Sequence, residues 1–159
     1  MTIEYKQNCK SVPLIATTQI REWLSGKEID CFEFVPIIKG LHKDCFAIEV
    51  PDDALSPMLN ENDIIIVDPE RRLKPGDYVL AQILPNMERF LVGQYIEVSF
   101  TEDGRKIFEL RPTNSAYLSA YSERHNINIL GVISGFHKFF FKSSNYRPDQ
   151  KQTITCQRK

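Results

Sequence analysis

The chain has 159 residues, of which 42% are hydrophobic and 26% charged, the balance of a soluble globular protein with one modest core. Its 20 basic and 21 acidic residues leave a formal net charge of −1, so it lacks the basic surplus of a phosphate-gripping domain, and direct nucleic-acid binding by this chain is not expected. No stretch reaches the roughly 20 apolar residues of a membrane span, and the polar start MTIEYKQNCKS lacks an export signal's apolar run, which points to a cytoplasmic protein with no membrane partner.

Residues 1–11 read as a flexible leader. Val12-Pro13 begins an extended segment, because proline biases its predecessor away from helix. TTQIREWLSG predicts a short helix ending at Gly26, and residues 27–43 are poorly patterned. From Cys45 the chain reads as β structure. CFAIEV alternates like a half-buried strand, and DIIIVD is a short apolar run bounded by acids, suited to a buried one. In KPGDYVLAQIL, Pro75-Gly76 supplies the central pair of a type II turn before a strand. RFLVGQYIEV is a further strand, interrupted by Gly93. Asp103-Gly104 signals a hairpin turn, and IFELRP returns as its partner. INILGVISGFHKFFF is a long apolar strand or strand pair broken at Gly135. After Phe141 the polar segment 142–159 reads as a fraying tail. The expectation is a mainly β fold with little helix, a domain over 12–141 between leader and tail.

Cys9, Cys31, Cys45 and Cys156 form no C-x-x-C pair and read as free thiols. His42, His125 and His137 are scattered. Neither a metal site nor a cofactor is expected.

The order of the β segments resembles the catalytic domain of the LexA, UmuD and phage-repressor family of self-cleaving proteins, over about residues 12–135. A strand, Phe46 to Val50, leads into Asp53-Ala54-Leu55-Ser56-Pro57-Met58-Leu59, where the family has a G-D-S-M-x-P-type motif. Asn62-Asp63 and Ile64 to Pro69 are similar to its G-D and the apolar strand ending in D-P. KPGDYVLAQI resembles another of its strands, Leu110, Pro112, Asn114 and Tyr117 its L-x-P-x-N-x-x-Y element, and ILGVISG its closing strand.

The resemblance implies a LexA/UmuD C-terminal-domain-like β fold, and it implies a reaction whose parts are missing. The family's nucleophilic serine falls on Ala54, whose methyl group cannot attack a carbonyl. The family's base is a lysine kept neutral by apolar burial; its position falls on Gly93, or on Val92 if the register slips by one. No lysine occurs between Lys74 and Lys106. Residues 12–26 correspond to the cleavage segment, and the scissile pair becomes Ile20-Arg21, a β-branched residue and a long cation where the family usually has Ala and Gly. Leu55, Ser56, Met58 and Val92 would line a peptide cleft.

The implied function is a catalytically inactive module in transcriptional regulation or the DNA-damage response, acting through dimerisation and peptide binding. Phe136, Phe139, Phe140 and Phe141 are the expected dimer surface, since such a run cannot bury every ring on one face. A helix-turn-helix repressor or a polymerase is the expected outside partner. Two alternatives stand beside this reading: the dimerisation part of a DNA-binding phage-type repressor, and a serine hydrolase using Ser56. Against the second, serine before proline is commonly a turn cap.

Overall fold

In the computed structural model the described residues are 10–31, 33–37, 41–85, 89–138 and 154–156. The chain opens with β1 (Lys10–Leu14), a 3-10 turn over Thr17–Gln19 and the helix α1 (Ile20–Leu24). The strands β2 (Ile29–Cys31), β3 (Glu33–Ile37), β4 (Phe46–Glu49) and β5 (Ile64–Asp68) follow. Next come β6 (Tyr78–Leu84), β7 (Phe90–Phe100), β8 (Lys106–Arg111) and β9 (Ala120–Tyr121). The long β10 (Asn126–His137) precedes β11 (Ile154–Cys156), which pairs with β2 as a separate ribbon.

Nine strands join in one sheet, in the order β3-β1-β4-β5-β10-β6-β7-β8-β9. Every ladder is antiparallel except β1 beside β4, which meet at Leu14 and Ala47. The mainly β architecture with one short helix is the one expected from the sequence.

Apolar side chains cover both faces. On one face Phe46, Ile48, Ile65, Val67, Leu80, Val92 and Leu130 form the main core with Ile15, Ile20 and Trp23 laid over it. On the other face Ala47 and Ile66 pack with Val12 and Val35, while Val79, Ala81, Tyr95, Leu110 and Val132 form a third cluster. Two-sided cover corrects the expectation for β4: Phe46, Ala47 and Ile48 are all buried, so the strand is not half-exposed.

The turns follow their residues. Gly76 takes a positive φ of 93° and Asp77 N–H donates to Lys74 carbonyl at 3.1 Å, as the third residue of a type II turn requires. Gly93 does not interrupt β7, which runs unbroken past it. Gly135 marks a register shift rather than a break, and β10 continues through it as one strand.

Candidate functional site

The turn 52–63 between β4 and β5 is the centre of the sequence-predicted site. It is stitched by its own acids: Asp52 Oδ1 accepts Ala54 N–H at 2.9 Å, Asp53 Oδ1 accepts Glu61 N–H at 2.7 Å, and Asp63 Oδ2 accepts Asn60 N–H at 2.9 Å. Asn62 sits in the left-handed region at φ 71°, a conformation asparagine tolerates better than other side chains, and its N–H donates to Val50 carbonyl at 3.1 Å. Ser56 contributes its backbone N–H, donated to Asp53 carbonyl at 3.0 Å. The side-chain caps come from Asp52 and Asp53, not from Ser56 as its place before proline suggests.

Two distant segments grip this turn. After β8, the N–H groups of Thr113 and Asn114 both donate to Ala54 carbonyl, at 2.9 and 3.0 Å. Asn114 Nδ2 donates to Asp53 carbonyl at 3.0 Å, and Asp53 N–H reaches Tyr117 Oη at 3.3 Å. That loop is anchored by Glu109, a buried carboxylate. It accepts Arg111 Nε and Nη2, both at 3.0 Å, and the Ser119 hydroxyl at 2.6 Å. Arg111 and Ser119 together hold the Glu109 carboxyl below the usual carboxylate range. From the other side, at the end of β10, Lys138 Nζ donates to the carbonyls of Pro57 at 2.6 Å and Met58 at 3.3 Å. Sequence reasoning missed this amine, since 80 residues separate Lys138 from Met58.

Ala54 is only 5% exposed and shares the main cluster with Leu55, Ile20 and Val92, with Met58 packed against it. Neighbouring strand residues point to opposite faces. Val92 pairs with Leu80 in the main cluster, whereas Gly93 pairs with Val79 in the third cluster. A Cβ at Gly93 would lie 3.3 Å from Arg111 carbonyl oxygen. β7, FLVGQYIEVSF, offers neither face an amine.

Ile20-Arg21, the pair expected at the scissile position, lies inside α1. Ile20 is buried and Arg21 exposed, and the helix is held from several sides. Ile15 N–H donates to Ala47 carbonyl at 2.9 Å, Gln19 Nε2 to Asp30 carbonyl at 2.9 Å, and Trp23 Nε1 to Asp44 carbonyl at 2.9 Å. Of the expected dimer surface, Phe136 is 53% exposed, while Phe139, Phe140 and Phe141 lie outside the described residues.

A second polar cluster was not anticipated. His42 Nδ1 sits 2.8 and 3.0 Å from the two oxygens of buried Asp68. Leu41, His42, Asp68 and Arg71 line a depression of about 350 Å³. Among the described residues no group of His, Cys, Asp and Glu is arranged to hold a metal, and no helix is long and apolar enough to cross a membrane.

Compared with known proteins, residues 27–134 match the family described as Peptidase S24-like. No curated protein matches the chain.

Proposed function

The chain belongs to the Peptidase S24-like family, and from that membership we propose that it is a form without self-cleavage, working as a dimeric, peptide-binding module in bacterial or phage gene control or the DNA-damage response. The observation that carries this reading is the pair of positions where the family's dyad falls. Ala54 stands for the nucleophile, and β7 has only Val92 and Gly93 where a base is needed. A serine cannot be replaced by a methyl group in acyl transfer, and a glycine or valine takes no proton.

The scissile-pair equivalent supports the same reading. Proteolysis needs an extended bond at the nucleophile. Ile20-Arg21 is instead helical, and Ile20 and Trp23 are packed into the core. The former substrate segment thus serves as a cover over the cluster that contains Ala54 and Leu55. In this reading Leu55, Ser56, Met58 and Val92 border the site where a partner's extended peptide docks when that cover is displaced. Exposed Phe136 forms part of the surface between two copies.

The deciding experiment is incubation of the purified chain for several days at alkaline pH, followed by intact-mass measurement. The expected result is an unchanged mass; a cut near residue 20 overturns the reading.

One observation favours a second reading, a hydrolase based on Ser56: Lys138 brings an amine to the two carbonyls that follow this serine. Its ammonium is occupied as a donor there, the opposite of a base's role. Labelling by a serine-reactive fluorophosphonate, lost in Ser56→Ala, would establish that reading, and absence of labelling removes it.

A further inference from the structure

His42 and Trp23 are tied to the same short loop. The loop 42–45 closes as a turn in which Cys45 N–H donates to His42 carbonyl at 3.3 Å. At its start, the His42 ring is held by Asp68 of β5. Inside it, Asp44 carbonyl accepts the Trp23 indole N–H at 2.9 Å. Trp23 belongs to a five-residue helix, far too short to persist without tertiary contacts. The order of α1 therefore depends on its tertiary anchors, and this loop is one of them.

Asp68 gathers several donors on one buried carboxylate. Its Oδ1 accepts Glu70 and Arg71 N–H, both at 3.1 Å, and its oxygens face the His42 ring. Burial, with that carboxylate beside it, pushes the Cys45 thiol up to about 12, so the thiol keeps its proton at every physiological pH. Backbone N–H groups do not titrate. Among the described residues, His42 is thus the one donor to Asp68 whose charge changes near neutrality.

We propose that the His42–Asp68 contact is a proton-operated clasp on the segment 15–24: it holds α1 and Trp23 against the core while His42 is a cation, and loosens them once the ring is neutral. The groups facing His42 set the direction. The Asp68 carboxylate, by hydrogen bond and by charge, raises His42 above its ordinary 6.5; Glu70 adds to this and Arg71 opposes it. The other charged side chains of the loop are Lys43 and Asp44. A raised folded-state value means the contribution is fully present below about pH 6.5 and is lost as pH rises through the raised value. Above it, a neutral ring still donates one hydrogen bond through Nδ1–H, without the ion pair. The clasp is built from the loop 42–45 and the His42–Asp68 pair and does not depend on the chain's catalytic status.

Trp23 is the chain's one tryptophan, so a ¹⁵N spectrum carries a single indole cross-peak, from the very N–H donated to Asp44. The measurement is the protection of that proton against solvent exchange, relative to free indole at the same pH, across about pH 5.5 to 8.5, alongside the His42 ring titration. The expected result is a fall of at least threefold on the alkaline side, in step with His42. His42→Gln is expected to hold the low value throughout, and His42→Arg to keep a high value at both ends. Constant protection in the natural chain overturns the proposal, as does an unchanged pH dependence in His42→Gln. A urea midpoint at each pH separates local loosening from global unfolding. Should the variants not fold, coincidence of the indole and His42 transitions in the natural chain decides alone.

Discussion

Placing a serine and a lysine at the proposed dyad positions, as Ala54→Ser with Gly93→Lys, is not expected to bring cleavage, and the reason can be given a magnitude. A side chain at 93 must first find room: its Cβ meets Arg111 carbonyl oxygen at 3.3 Å and Arg111 nitrogen at 3.4 Å, so β8 must yield by a few tenths of an ångström, at about 1–3 kcal/mol. The larger barrier is the substrate. To extend Ile20-Arg21, α1 must unwind and withdraw Ile20, 2% exposed, and Trp23, 4% exposed, from the core. Burial of an isoleucine is worth about 2 kcal/mol and of a tryptophan about 4 kcal/mol at ~25 cal/mol per Å². The withdrawn segment must then be ordered again in the cleft, so little chain entropy offsets that cost. About 6 kcal/mol corresponds to roughly 10⁴-fold in rate, at ~1.4 kcal/mol per decade. The assay is intact-mass analysis of the double variant after several days at about pH 10. The expected spectrum contains only the full-length mass. A fragment pair from cleavage at Ile20-Arg21 would falsify the protective role of α1, and a cut at any other bond would refute the assignment of that pair.

Three further outcomes are expected. Gly131→Ala should lower the urea-derived stability by about 1–3 kcal/mol, since its Cβ would stand 2.7 Å from Val67 Cγ1 and 3.0 Å from Asp68 backbone; Gly135→Ala, 3.5 Å from Ile66 Cδ1, should stay within about 0.5 kcal/mol, and equal effects would refute the packing argument. Cys45 should resist iodoacetamide at neutral pH in the folded chain and react in urea, because burial pushes its thiol up to about 12; peptide mapping that finds rapid native alkylation at Cys45 contradicts this. The Glu109 carboxyl is lowered from its ordinary 4.5, so its stabilising share is present above about that pH and is lost as pH falls through the folded value. Glu109→Gln should therefore flatten the acid limb of stability against pH, and an unchanged limb would show that Arg111 and Ser119 do not act through the charge.

Much of the fold was legible because its strands carry local signals. Ile64 to Val67 is apolar and bounded by acids, Pro75-Gly76 supplies the turn its φ requires, and both appear where the pattern puts them. β2 and β3 were not legible in the stretch 27–43. β2 has three residues, and β3 exposes Glu33, Phe34 and Pro36 while burying only Val35, so neither offers a period to read. Their order comes from distant partners: β1 for one and β11 for the other. The site divides the same way. The turn around Ala54 announces itself by its motif. The hold of Thr113, Asn114 and Lys138 on its carbonyls does not, because any residue's N–H can donate and a surface lysine has no signature. His42 and Asp68 lie 26 positions apart, and the aspartate reads only as the end of an apolar run until the structure turns its carboxylate inward.

The double engagement of β10 bears on how the protein is made. Its first half pairs with β6 and its second half with β5, so the two halves of the sheet share this one strand. Until residues 126–137 leave the ribosome, β3-β1-β4-β5 and β6-β7-β8-β9 lack the strand that joins them, and each has an unpaired apolar edge. Synthesis therefore passes through a long interval in which most of the chain exists but its sheet cannot close. Such non-local pairing slows folding and exposes the nascent chain to edge-to-edge association. Chains released prematurely before Asn126 should be recovered as aggregates or protease fragments, not as a smaller stable domain.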